Sequence, residues 1–370
     1  MSRIAAIAAF SGLLFANGSS AAELDFGKPG APVHLIVGYQ PYGTEYWSAV
    51  VMRAKRLYEK YLPKGSTVEF RTALQGSTIV SGMQSGAMHI GYLGDMPAIV
   101  ATTTPEIADI RLVAVTGTGS DLCNVLLVRH DAPPFADASA ALKWLDGKKV
   151  AAPKGSCADR FAQAIFTKAG VHPASYKALN IEAISAYLKA GKLDAAVMWE
   201  PTPSKLVLAG QARRAASGVS VSERDGGFVA MRAELLRQRP DVVRAWLEAE
   251  LDAQLFLSRP ENAAQVARMA AQQTGGFAEK VLWFSLYGRY ADSAGGSPIR
   301  MTLPFAFTPE ILALLSSATT FLHSIERIKT NTLRREAIAP DFTLTILAAR
   351  KLSPPVGIVR ALPDKAYTGQ

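Results

Sequence analysis

The stretch GSTIVSGMQSGAMHIGYLGDMP, Gly76 to Pro97, changes its period twice. Ile79, Val80 and Met83 recur at helical spacing, Gly86 stops the turn, His89 to Leu93 reads as a short strand, and Gly94-Asp95-Met96-Pro97 starts a second helix. Two helix starts led by small or polar residues therefore flank one strand. A later stretch, NIEAISAYLKAGKLDAAVMWEPTPSK from Asn180 to Lys205, has the same grammar. It has a polar lead, a helix, Gly191 where the first has Gly86, a short strand, and Trp199-Glu200-Pro201 where the first has Gly94-Asp95-Met96. Two copies of one unit predict two lobes, each with its own sheet. In open α/β sheets, ligands bind beyond the carboxyl ends of the strands, where loops lead into helix amino termini. Free backbone N–H groups at those termini favour an anion.

The rest of the chain alternates in the same way. VHLIVGY is β-rich, YWSAVVMRAKRLYEKYL is amphipathic and closed by Pro63-Lys64-Gly65, and TVEFRTAL reads as strand. After the first unit come strands in RLVAVTG, NVLLVRH and KKVAAPKG, and helices in ASAALKWLDG and CADRFAQAIFTKAG. Strands alternating with helices predict α/β lobes with mostly parallel sheets. Beyond GFVAMR the chain reads as mainly helical to LTILAARKL, and the Pro-rich end from SPPVG as a loose tail.

A chain of 370 residues, 49% hydrophobic and 19% charged, is long enough for two domains with real cores. Its start differs from the rest: Met1-Ser2-Arg3 is positive, IAAIAAFSGLLFA is apolar, and Ser20 and Ala22 offer small residues for cleavage. That is the pattern of a secretory signal peptide over 1–22, because the apolar run falls short of the roughly 20 residues a membrane span needs. A periplasmic location follows. With only Cys123 and Cys157 in the chain, an oxidising compartment allows one disulfide, and two buried free thiols are the alternative. Two cysteines and the scattered His34, His89, His130, His172 and His323 make no zinc-type spacing, so no metal site is expected. The net charge of +9 favours anionic partners at long range, but RAKRLYEK and SIERIKTNTLRREAI read as solvated faces and not as a nucleic-acid arm.

Taken in order, VGYQ, GSTIVSGMQSGAMHIGYLGDMPAIVATT, KKVAAPKGSCADRF, LDAAVMWEPTPSKL and GGFVAMRAELLRQRPDVVRAWL resemble the exported substrate-binding proteins of ABC importers in the nitrate, sulfonate and taurine group. The resemblance covers roughly Val33 to Leu352. Its Gly-x-x-Asp-Ile-Gly pattern departs here at His89, a residue expected to cap or pair near a strand start, while Asp194 is kept. It implies the two-lobed periplasmic-binding fold (type II), with the ligand cleft between lobes: lobe 1 from 33–121 and 224–352, lobe 2 from 122–223, and a tail from 353–370. The crossings that act as a hinge would fall near Thr118–Asn124 and Ser222–Gly227. It also implies delivery of a small anion to a membrane permease by a monomer without cofactor. An aliphatic sulfonate or taurine is the favoured ligand; nitrate, bicarbonate, an aromatic carboxylate and a thiamine pyrimidine precursor are alternatives. The superfamily's pyrimidine-forming enzymes carry a cysteine-rich run that is missing here, and Gly-x-Ser-x-Gly and Gly-x-x-x-x-Gly-Lys are missing as well, so catalysis is not expected. A sensor built on the same fold is a third class.

Position and chemistry name the candidate ligand residues. Tyr39 and Gln40 end the first strand; Gly76-Ser77-Thr78 and Gly155-Ser156-Cys157 open one helix in each lobe, where hydroxyls and N–H groups suit a sulfonate. Gly94 and Asp95, and Trp199 and Glu200, follow the strands of the two repeated units. Trp199 would pack on the ligand's carbon part. Asp95 and Glu200 read as helix caps, since a carboxylate repels an anion, unless they meet an amine such as taurine carries. Mass spectrometry of the exported protein is expected to give a chain beginning near Glu23; an intact Met1 there contradicts export by this route.

Overall fold

The computed structural model describes residues 23–369. The signal peptide expected at 1–22 lies outside the described residues. Two sheets are present. The first contains β1 (His34–Tyr39), β2 (Thr67–Thr72), β3 (Ile90–Gly94), β4 (Ile110–Gly119), β10 (Asp225–Arg232), β11 (Ile299–Leu303) and β12 (Gly357–Arg360), in the order β12-β11-β4-β10-β3-β1-β2. The second contains β5 (Val125–Arg129), β6 (Lys149–Ala152), β7 (Ser175–Ala178), β8 (Ala195–Met198) and β9 (Ala212–Ser217), in the order β7-β6-β8-β5-β9. Among the described residues no helix is long and apolar enough to cross a membrane.

Each sheet is covered on both faces. In the first lobe, Leu35, Val37 and Tyr39 of β1 pack with Trp246, Val266 and Trp283 of the helices Pro240–Leu257, Ala263–Ala271 and Glu279–Tyr287. The opposite face packs Ile79 and Met83 of the helix Gly76–Gln84 with Ile99 of Asp95–Thr102 and Leu315 of Pro309–Ser324. Strands buried on both faces need near-continuous apolar runs, which β3 and β10 supply. The two repeated units fold alike, as helix Gly76–Gln84, β3 and helix Asp95–Thr102, and as helix Ile181–Lys189, β8 and helix Thr202–Leu208. Gly86 and Gly191 sit at φ of 78° and 66° after the two leading helices, in the left-handed region where only glycine is unstrained. His89, the departure from the family pattern, accepts the Ile36 N–H at its Nδ1. Burial, helped by nearby cations, holds its imidazole down at about 4.

Three expectations need correction. The sheets are mixed and not mostly parallel: β1 pairs in parallel with β2 and β3, and β6 with β7 and β8, but every pairing of β5, β10 and β11 is antiparallel. The cause is the return of the chain from the second lobe, which lays β10 between β3 and β4. Within the segment read as helical lies β11, whose pattern is interrupted by the fully buried Arg300. The end of the chain is not loose. Its strand β12 pairs with β11, Leu362 donates to the Tyr287 carbonyl, and Tyr367 packs against Trp283. Proline marks where an element cannot run, and says nothing of pairing two residues later.

Beneath the first sheet, Glu250 is fully buried and accepts hydrogen bonds from Tyr92 at 2.8 Å and Gln254 at 2.9 Å. Burial pushes its carboxyl up from 4.5 to about 7, against these hydrogen bonds. A raised folded pKa favours the fold fully below the unfolded value and loses that contribution as pH climbs through the folded one. Glu250→Gln, which keeps an acceptor and removes the charge, is expected to match the parent near pH 4.5 and to exceed it by roughly 3 kcal/mol at pH 8 in urea unfolding. A constant difference across that range contradicts the assignment.

Candidate functional site

The chain passes between the sheets twice, through Ser120–Asn124 and through Gly218–Arg224. The passages are fastened to each other: Gly218 donates to the Asn124 carbonyl at 3.0 Å, Cys123 N–H to Asp225 Oδ2 at 3.0 Å, and Thr118 Oγ1 to the Asp225 carbonyl at 2.7 Å. Gly218 is required there, because a Cβ would run into the Ser120 and Glu223 carbonyls. Cys123 and Cys157 form a disulfide with Cα atoms 6.0 Å apart, which ties the first passage to the start of the helix Cys157–Ala169.

Beside these passages the protein buries more negative charge than positive. Glu45, Asp95 and Asp225 come from the first lobe and Arg160 from the second, each under 7% exposed. Arg160 Nη2 donates to Asp95 at 2.8 Å and to the Arg224 carbonyl at 2.6 Å, and its Nη1 lies 3.6 Å from Glu223. Burial pushes the Glu45 carboxyl up to about 8, reinforced by the carboxylates of Asp95 and Glu200. Burial raises Asp225 as well, with Glu45 and Asp95 adding to it, and it raises Asp95 despite Arg160. Several buried polar atoms find no hydrogen-bond partner among the described residues: Gln40 Nε2, Thr44 Oγ1, Glu45 Oε2, Asp225 Oδ1, Arg160 Nε and both amide atoms of Asn124. Native interiors leave few such groups, which makes these atoms candidates for contact with a ligand.

The structure sorts the residues picked out from sequence. Gln40 belongs to this group, and Gly76 lies against it: a Cβ there would come within 3.5 Å of Gln40 Nε2. Ser77 and Thr78 are exposed at the head of their helix, which has no side-chain cap. At Gly94 a Cβ would lie 3.2 Å from the Tyr46 hydroxyl. Tyr39 faces the core, its hydroxyl held by Arg53 and Gln273, and drops out. The opposing helix start is already filled. Gly155 N–H goes to Asp159 Oδ2 at 2.7 Å, the Ser156 hydroxyl donates to the Pro153 carbonyl and accepts from Asp159 N–H, and Cys157 is in the disulfide. Asp95 accepts the Met96 N–H, and Glu200 accepts the Ser204 N–H at 3.0 Å and the Tyr290 hydroxyl at 3.2 Å, so both act as caps.

Trp199 borders a cleft of about 440 Å³ between the lobes, with Tyr42, Leu74 and Phe277 from one side and Ile181 and Lys205 from the other. Lys205 Nζ closes across it, 2.7 Å from the Gly276 carbonyl and 4.8 Å from the centre of the Phe277 ring. Sequence reasoning passed over Glu45, Asn124, Arg160 and Asp225. Glu45 had a signal, a lone charge in the apolar run YGTEYWSAVV; Arg160 looked like any helix-surface cation.

Residues 28–271 match the model of the NMT1-like family. The chain belongs to that family. Among relatives of this NMT1-like protein, the taurine-binding periplasmic protein of Escherichia coli (strain K12) is 27% identical over 260 residues, which is 66% of this chain and 75% of that one. The solved structure of the periplasmic aliphatic sulphonate binding protein SsuA from Escherichia coli superposes with a TM-score of 0.67 at 20% identity, over 84% of this chain and 92% of that one. The desulfurization enzyme DSZB gives 0.59 at 16% identity, over 86% and 99%. The two-lobed fold is thus shared by binding proteins and by an enzyme.

Asp95 and Arg160 join the lobes through a buried ion pair, and removing one partner of such a pair strands the other. Asp95→Leu and Arg160→Met are each expected to cost about 3–5 kcal/mol in denaturant unfolding. The double variant should lose clearly less than the sum. Additive losses would show that the two side chains are not coupled.

Proposed function

We propose that this NMT1-like protein is an exported binding protein that captures a small aminosulfonate of the taurine class between its lobes (33–121 with 224–352, and 122–223) and delivers it to an importer in the membrane as a monomer. The observation that carries the reading is the presence of unsatisfied buried acceptors, Glu45 Oε2 and Asp225 Oδ1, together with unsatisfied buried donors, Arg160 Nε beside Asp95 and Gln40 Nε2 beside Gly76. An ammonium suits the carboxylates, and among the described residues no three side chains come together as metal ligands would. A sulfonate suits the donors, together with the N–H groups of Gly76, Ser77 and Thr78 at the uncapped helix start. Trp199 and Phe277 offer apolar surface to the carbon part. The curated relative named for taurine supports the same ligand class.

Binding without turnover is the favoured reading. Both cysteines of the chain are joined to each other, which leaves no thiol nucleophile. The alternatives of nitrate and bicarbonate lack a cationic group and would gain nothing from Glu45 and Asp225.

Calorimetric titration of the mature protein with taurine, ethanesulfonate and nitrate tests this. Taurine is expected to bind tightest, and Glu45→Gln to weaken it by about 1.5–3 kcal/mol, the range for a hydrogen bond to a charged group. Equal affinity for taurine and ethanesulfonate would overturn the ammonium assignment.

A further inference from the structure

The buried acids beside the two passages have a charge problem that the ligand assignment alone does not resolve. Glu45, Asp95 and Asp225 share one guanidinium, and Arg160 gives its hydrogen bond to Asp95. The remaining two acids have different surroundings. Asp225 Oδ2 accepts the Cys123 N–H, which suits an ionised oxygen, while Oδ1 has no partner. Glu45 has Oε2 without a partner, and its own turn is pinned by Thr116 Oγ1 to the Glu45 carbonyl at 2.8 Å. Besides each other, the charged groups acting on this pair are the carboxyls of Asp95 and Glu200 and the guanidinium of Arg160, and burial, reinforced by Glu45, Asp95 and Asp225, pushes the neighbouring Tyr46 hydroxyl up, so that it stays neutral. Glu200 belongs to a separate cluster in which Asp121 pairs with Arg214 and Arg300, so those cations are already engaged. Two neighbouring buried carboxyls with no cation of their own hold one proton between them, since both cannot ionise in a medium of low polarity.

We infer that binding of an ammonium-bearing ligand expels that proton: the Glu45–Asp225 pair goes from one shared proton to two carboxylates, the R–NH3+ group takes the proton's place, and H+ leaves to solvent. The bound ammonium keeps the charge of the acid group unchanged, and the sulfonate is carried by donors elsewhere in the cleft. The inference rests on the reading of the site as an aminosulfonate site. The upward displacement of Glu45 to about 8 and of Asp225 is in the required direction, because a proton must be held at neutral pH to be displaced. A ligand without an amine has nothing to exchange and leaves the proton in place. The cleft then discriminates by pH: affinity for an amine-bearing ligand rises about tenfold per pH unit while the pair is protonated and levels off above its titration.

The experiment is titration calorimetry with taurine and with ethanesulfonate at pH 6.5 in buffers of differing ionisation enthalpy. The dependence of the observed heat on the buffer gives the protons released. One proton is expected for taurine and none for ethanesulfonate. Glu45→Gln should bring the taurine release close to zero while ethanesulfonate still binds, which also shows that the variant is folded. Glu250→Gln, beneath the first sheet with Tyr92 and Gln254 as its partners and titrating near the same pH, should leave the release at one. Tight taurine binding with no proton released overturns the exchange and leaves the aminosulfonate reading standing; failure of taurine to bind at any pH overturns both. Release that persists in Glu45→Gln and vanishes in Glu250→Gln would place the proton in the core and overturn the assignment to the cleft.

Discussion

The pairing of β4 with β10 is the constraint on which the rest depends. The chain leaves the first lobe along β4 and comes back along β10, antiparallel and adjacent, from Ile110 opposite Arg232 to Gly119 opposite Asp225. Because β4 ends at the edge where β10 begins, the two passages must lie side by side, and Gly218 is small enough to let them touch. The same return makes both sheets mixed, and sets the first turn of the helix Cys157–Ala169 against the passages, where the disulfide and Arg160 hold it.

What this arrangement brings together is costly for the fold. Three carboxylates and a guanidinium leave water, and the attraction of one ion pair does not offset that for all of them. A protein tuned for stability alone would place apolar side chains there. In a second buried cluster the charges are matched, Arg214 and Arg300 converging on Asp121. Glu45 and Asp225 have no such cation and keep one unpartnered oxygen each, whereas Glu250, also buried without a cation, is held by Tyr92 and Gln254; that difference is what supports the proposed binding role of the first two. The opposite treatment of the two helix starts follows the same logic. One is closed by its own Asp159, and the other, at Gly76, is left without a cap beside Gln40.

The sequence by itself determined the architecture. The repeated units at 76–97 and 180–205, with Gly86 and Gly191 as their stops, gave two lobes, because hydrophobic period and helix termination are local properties of the chain. It also identified Asp95 and Glu200 as residues that accept N–H groups at helix starts, since capping chemistry acts within a turn of helix. Tertiary structure alone decided the strand directions, the pairing of β12, the joining of Cys123 to Cys157, the turning of Tyr39 into the core, and the meeting of Glu45, Asp225 and Arg160. These are contacts between residues far apart in the chain, where each side chain taken alone reads as an ordinary surface charge, core aromatic or thiol. Only when the return strand closes the first sheet do they acquire neighbours, and burial, which depends on all of those neighbours at once, is what gives the carboxylates their chemistry.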